Sequence, residues 1–237
     1  MTDFEKLLSR LAVASPLPFD LHTRRCLRLD LSADNTRLQD LAPEDTAAFS
    51  VWVQQQIAQS GADFAAGGYG EDRALYRMSP VFTPEQGEPR TLHLGIDLWL
   101  PAGTPICAML GGKVHSTQDN AAFGDYGPTI ILEHEFSGQR FHTLHGHLAK
   151  ASLALTQPGQ PVKAGQVLGW LGTPEENVGW PPHLHIQIIR DLQGRSGDYP
   201  GVCKASEKAQ WLENCPDPNL LLRIGALQSD SATAPRS

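Results

Sequence analysis

Apolar residues over the first sixty positions recur mainly with helical spacing. In "TDFEKLLSRLAV", residues 2–13, Phe4, Leu7, Leu8, Leu11 and Ala12 fall on one stripe, which predicts a helix capped by Thr2 or Asp3. "PEDTAAFSVWVQQQIAQSG", residues 43–61, reads as a second helix, with Pro43, Glu44 and Asp45 in its first turn and Gly61 just past its end. Between them "RCLRLDLS" alternates as a short strand. From about residue 79 the texture changes to short apolar runs punctuated by Gly and Pro: "HLGIDLWL", "TPICAM", "GGKVHST", "PTIILEHE", "RFHTLHGHL", "GQVLGWLG" and "HLHIQII". Such spacing describes an antiparallel sheet rather than alternating βαβ units. "SEKAQWLENC", residues 206–215, predicts a short helix. The chain is thus expected to be mainly β. A mixed, mostly helical region spans 1–70, a β domain spans 71–225, and a disordered tail spans 226–237, where large apolar residues are almost absent.

Composition narrows the partners. A net charge of -7 on 237 residues supplies no broad basic surface for a phosphate backbone, so nucleic acid is not an expected partner. No apolar run approaches the roughly 18 residues of a membrane span. The opening "MTDFEKLLSR" mixes acids and bases into its apolar residues, unlike a signal peptide, and the expected location is cytoplasmic. The four cysteines form no CxxC pair and are read as free thiols, with Cys203 and Cys215 the one pairing to check.

Histidine changes the picture more than charge does. Eight of the nine histidines fall between residues 93 and 185. His93 and Asp97 in "HLGID" would stand about 13 Å apart on a straight strand, too far to share an ion, but Gly95 between them permits a bend. In "HLH", His183 and His185 share one strand face about 6.6 Å apart, so one can bind a metal while the other reaches a water or substrate oxygen on it. "FHTLHGHL" adds His142, His145 and His147; strict alternation would put His145 and His147 on one face, unless Gly146 disturbs it. His22, His115, His134 and His142 are read as structural. Imidazole and carboxylate donors without a four-ligand Cys/His cluster suit a catalytic zinc, and metal-assisted hydrolysis is the reaction class that follows.

In this order, "HLGIDLWLPAGTPICAMLGGKV", "TLHGHL", "PVKAGQVLGWLG" and "PPHLHIQI" resemble the lysostaphin-type zinc metallopeptidases, a peptidoglycan-hydrolase family with the duplicated-hybrid-motif, or barrel-sandwich-hybrid, fold. The resemblance covers residues 91–190. It implies one Zn²⁺ per chain on His93, Asp97 and His185, with catalytic roles for His147 and His183. A narrower resemblance, carried by "DYGPTIILEH", "ENVGWPPHLHIQIIRD" and "CPDPNLLL", is to the leaderless peptidase-like segment of kinase/peptidase/aminotransferase fusion proteins.

Departures from the family pattern mark candidate substrate contacts. His145 stands where the pattern has Tyr, and Arg90 is a candidate oxyanion donor in the place of a Tyr that some relatives carry before the first ligand. The bulky loop "TPEENVGWPP" offers Glu175, Glu176, Asn177 and Trp180 to the cleft, or else serves only as structure. The expected function is zinc-dependent hydrolysis of an amide or peptide bond in a peptide-like or small amide substrate. The alternatives are peptidoglycan hydrolysis after export or lysis, and a non-catalytic, metal-stabilised binding or regulatory module.

Overall fold

The computed structural model describes residues 1–38, 41, 45–78, 81–84 and 86–228. Helix α1 (Asp3–Leu8) opens on a reciprocal cap, Glu5 N–H donating to Thr2 Oγ1 at 3.2 Å and Thr2 N–H to Glu5 Oε2 at 2.6 Å. It ends at Leu8, short of the predicted span. Beyond it the Ser9 and Leu11 carbonyls accept from the Arg223 guanidinium at 3.0 and 2.7 Å, which ties the chain to the C-terminal region. Strand β1 (Cys26–Arg28) is the predicted alternating run, shortened. Helix α2 (Thr46–Ser60) is capped by Asp45, whose side chain accepts from Ala48 N–H at 2.8 Å, and closes on Gly61 at φ +65°. Pro43 and Glu44, placed in its first turn by the sequence reading, lie outside the described residues.

Strand β2 (Phe64–Gly67) and helix α3 (Ala74–Met78) lead into β3 (Arg90–His93) and β4 (Ile96–Trp99). There follow β5 (Pro105–Cys107), β6 (Gly112–Asn120), β7 (Gly127–Phe136), β8 (Gln139–Gly146), β9 (Pro161–Val162), β10 (Val167–Trp170), β11 (His183–Ile189) and β12 (Val202–Lys204). Helices α4 (Lys208–Asn214), near its predicted position, and α5 (Asn219–Leu222) complete the regular elements. Residues 226 and 227, expected to begin the tail, lie in a 3-10 turn (Gly225–Leu227), and that tail from 229 lies outside the described residues.

Eight strands make one sheet in the order β1-β2-β4-β11-β8-β7-β6-β9, antiparallel except for the parallel β1–β2 pair. The mainly β, antiparallel expectation therefore holds. The first 70 residues add β1 and β2 to this sheet, with β2 pairing directly to β4. Among the described residues no helix is long and apolar enough to cross a membrane. All four cysteines are free, so Cys203 and Cys215 are not bridged.

The two faces of the central strands differ. One face carries Ile96, Leu98, Ile130, Leu132, Phe141, Leu184, Ile186 and Ile188 into the largest apolar cluster, where α1 seats Phe4 against Phe141 with ring centroids 5.5 Å apart. The other carries Asp97, His183 and His185 between two smaller clusters, one around Leu92, Leu144 and Tyr199, the other around Phe49, Leu75 and Trp99. Alternation along β8 sends His145 to the apolar face, registered between Ile130 and Ile186. It is fully buried, and neither ring nitrogen has a hydrogen-bond partner. Its proposed place on the cleft wall is corrected accordingly.

Burial pushes the His145 pKa down to about 3 and that of its neighbour His134 to about 4. Both remain neutral in the fold while the unfolded chain protonates below about pH 6.5. Each therefore removes about 1.4 kcal/mol of stability per pH unit as pH falls from 6.5 towards its folded pKa. Replacing His145 by Leu is expected to flatten that acid-side loss, measured by urea unfolding of both proteins between pH 7 and 4.5 with chelator present.

Candidate active site

Asp97 and His185 meet because β4 and β11 pair antiparallel with these two residues directly opposite. His93 arrives from β3, which turns away at Leu94 and Gly95 to pair with β12 instead. The bend anticipated at Gly95 is present, and the residue has a second duty. A Cβ there would stand 2.5 Å from His185 Cε1 and 2.7 Å from the Ile186 carbonyl oxygen, so only glycine lets the imidazole lie against the chain.

Three donor atoms converge at this point. His93 Nε2 lies 2.9 Å from His185 Nδ1, and Asp97 Oδ1 lies 3.1 Å from His185 Nδ1 and 3.5 Å from His93 Nε2. The outer partners fix which nitrogen carries the proton. His93 Nδ1 faces the Gly68 carbonyl oxygen at 3.0 Å, and since a carbonyl only accepts, Nδ1 must carry the proton. Gln187 donates its amide N–H to the Pro200 carbonyl at 3.1 Å, which turns Oε1 towards His185 Nε2 at 3.0 Å and makes that nitrogen a donor too. His93 Nε2 and His185 Nδ1 are thus left as bare lone pairs beside a carboxylate oxygen. Three acceptors this close repel one another unless a cation lies among them, and two imidazoles with one carboxylate suit zinc.

The electrostatics agree. Burial, followed by the Arg73 guanidinium, pushes the His93 pKa well below its usual value, so the ring is neutral and able to ligate. Burial alone would raise the Asp97 pKa, but His93 and Arg73 outweigh it and hold the carboxyl well below the usual range. Arg73 Nη1 donates to Asp97 Oδ2 at 2.7 Å, opposite the oxygen that faces the histidines.

His147 and His183 stand beside this triad with ring centroids 4.1 Å apart. Continued alternation would put His147 on the apolar face with His145. Instead its φ of +62° turns the chain out of the strand, secured by its N–H donating to the Tyr126 carbonyl at 2.8 Å. His183 Nδ1 donates to the Pro181 carbonyl at 2.6 Å, leaving Nε2 as the acceptor, 3.8 Å from Asp97 Oδ1. Its other face stacks on Trp99, with centroids 5.8 Å apart. Burial lowers the pKa of both rings, well below the usual value at His147, where His183 adds to the effect.

A cavity of about 250 Å³ covers the five residues, its wall including Tyr76, Phe82, Tyr126 and Trp180. Trp180 and Arg90, both named as candidates from the sequence, line it. Arg90 is engaged there, its Nη2 donating to the Val81 carbonyl at 3.1 Å. Asn177 does not line it. That residue is fully buried behind Gly127, and neither its amide nitrogen nor its oxygen has a hydrogen-bond partner. Glu175 is exposed away from the cavity lining, while Glu176 pins its own loop, accepting from Lys150 N–H at 3.1 Å and Thr173 N–H at 3.2 Å. Reading the sequence did not single out Gly68, Arg73, Tyr126 or Gln187. Only Gln187 carried a signal, its place two residues beyond His185 on the same strand face.

Residues 91–198 match the family described as Peptidase family M23. Peptidoglycan DD-endopeptidase ShyA of Vibrio cholerae is 32% identical over 124 residues, 51% of this chain and 26% of that protein. DD-carboxypeptidase/endopeptidase Mpg of Neisseria meningitidis is 31% identical over 112 residues, 47% of this chain and 22% of that protein. Lysostaphin of Staphylococcus simulans is 30% identical over 99 residues, 40% of this chain and 18% of that protein. The matched region thus spans about a quarter or less of these relatives' length.

Gly95→Ala should force the His185 ring off the triad. A stability loss of about 1–3 kcal/mol, typical of overpacking, is expected in thermal melts, together with a weakened zinc affinity in chelator competition.

Proposed function

We propose, on the match of residues 91–198 to Peptidase family M23, that the protein is a zinc-dependent hydrolase of amide or peptide bonds in peptide-like substrates. The observation that carries the proposal is the convergence of His93 Nε2, His185 Nδ1 and Asp97 Oδ1, each stripped of a competing proton, beneath a cavity that also holds two neutral histidines. One zinc ion per chain is assigned to these three residues. When bound, it supplies Lewis acidity that polarises the scissile carbonyl and acidifies a water molecule.

The remaining chemistry falls to the chain's own side chains. His183, with Nδ1–H committed to Pro181, presents Nε2 as the base that takes a proton from the attacking water. His147, in ring contact with His183, is assigned to donate a hydrogen bond to the developing oxyanion, and the proton taken up by His183 is the one passed to the leaving amine. The lowered pKa of both rings keeps them neutral at pH 7, so each is able to accept a proton during turnover. Trp180 and Tyr126 bound the cavity as apolar walls that exclude bulk water, and Arg90 at its rim is assigned to substrate carbonyl oxygens.

A second reading, peptidoglycan hydrolysis, is favoured by the names of two relatives, a peptidoglycan DD-endopeptidase and a DD-carboxypeptidase/endopeptidase. Digestion of purified muropeptides against a panel of unrelated peptides separates the two readings, and cell fractionation shows whether the enzyme reaches the wall. His147→Ala is expected to retain zinc while kcat falls at least about 100-fold, the usual contribution of an oxyanion donor. Zinc content by mass spectrometry and hydrolysis of the best panel substrate check it; unchanged kcat would sink the assignment.

A further inference from the structure

Arg73 contributes nothing to the triad directly, yet it is among the most constrained side chains in the molecule. Its side chain is 5% exposed. Nη1 donates to Asp97 Oδ2 at 2.7 Å and to the Tyr76 hydroxyl at 2.9 Å, and Nε donates to Glu71 Oε2 at 3.2 Å. The backbone is held as closely, with Arg73 N–H on the Thr91 carbonyl at 3.0 Å and His93 N–H on the Glu71 carbonyl at 2.9 Å. Gly68, whose carbonyl fixes the His93 proton, lies against Arg73 Nη2 so closely that a Cβ there would collide with it. Residues 68–73 therefore form a strap across β3 that touches two of the three donor residues from behind.

Stability does not explain this arrangement, because a buried ion pair commonly adds little over apolar side chains of similar volume. Geometry does. A carboxylate can offer a metal one oxygen or both, and a second oxygen would occupy the position that a water or substrate carbonyl needs. Arg73 takes Oδ2 on the side away from the histidines and leaves only Oδ1 turned towards them. We propose that Arg73 is a positioning residue that restricts Asp97 to one-oxygen ligation and so keeps the fourth coordination position open. This inference rests on the zinc reading above.

Cobalt(II) in place of zinc reports coordination number directly through its visible absorption, independently of turnover. Wild-type protein should give the intense absorption of a four-coordinate site. Arg73→Lys keeps the positive charge but not the planar fork. It should give a several-fold weaker, five-coordinate spectrum, with zinc affinity lowered about 10- to 100-fold in chelator competition. Glu71→Gln disturbs the same strap but leaves the Arg73–Asp97 contact, and should keep the four-coordinate spectrum. A Glu71→Leu/Arg73→Met double variant replaces the buried pair with apolar side chains, a change that preserves folding in other proteins, and should match Arg73→Lys.

A weak wild-type spectrum would overturn the proposal. So would either Arg73 variant behaving as wild type, or Glu71→Gln behaving as Arg73→Lys. If the wild-type protein takes up neither cobalt nor zinc, the zinc reading itself fails, whereas uptake with unaffected Arg73 variants removes only the role given to Arg73.

Discussion

The pairing of β11 with β4 is the constraint on which the rest depends. It sets His185 opposite Asp97 and His183 opposite Trp99 on one face, while Leu184 and Ile186 meet Leu98 and Ile96 on the other. Because strand side chains alternate, a slip of one residue would exchange imidazoles for aliphatic side chains on both faces. The apolar core penalises that slip heavily, with Leu184, Ile186 and Ile188 all fully buried. The hydrophobic effect thereby fixes the register, and the register fixes the distance between the Asp97 and His185 side chains.

Sequestration has an electrostatic consequence. Neutral imidazoles tolerate burial well, and His93, His147 and His183 have their pKa lowered chiefly by loss of water. The same desolvation would neutralise Asp97 if it stood alone, yet His93 and the Arg73 guanidinium beside it keep it ionised. A low-dielectric pocket thus holds three uncharged rings and one charged oxygen, a mixture that favours a divalent cation over protons.

Much of this was legible along the chain, and the limit of legibility has a physical cause. Histidine spacing on a strand is local, so "HLH" and "HLGID" disclosed their shared face and the need for a bend at Gly95 without any coordinates. Family resemblance then supplied the pairing of distant segments and the places of His147 and His183. His147 illustrates the boundary, since its left-handed backbone reverses the face that alternation assigns it, while His145, one residue before Gly146, follows the rule into the core. Asn177 was drawn to the cleft by the company of Trp180, but the loop that carries both turns only the tryptophan inward. Arg73 and Gly68 gave no periodic signal, because their roles arise from a strap folded back over β3.

That strap bears on modularity. The matched M23 segment begins at residue 91, but the carbonyl that decides which nitrogen of His93 is free belongs to Gly68, and the cation behind Asp97 belongs to Arg73. A fragment cut at the apparent domain start would retain His93, Asp97 and His185 and lose the groups that orient them. In this chain the unit of inheritance recognised by sequence matching is smaller than the unit that builds the His–Asp–His cluster.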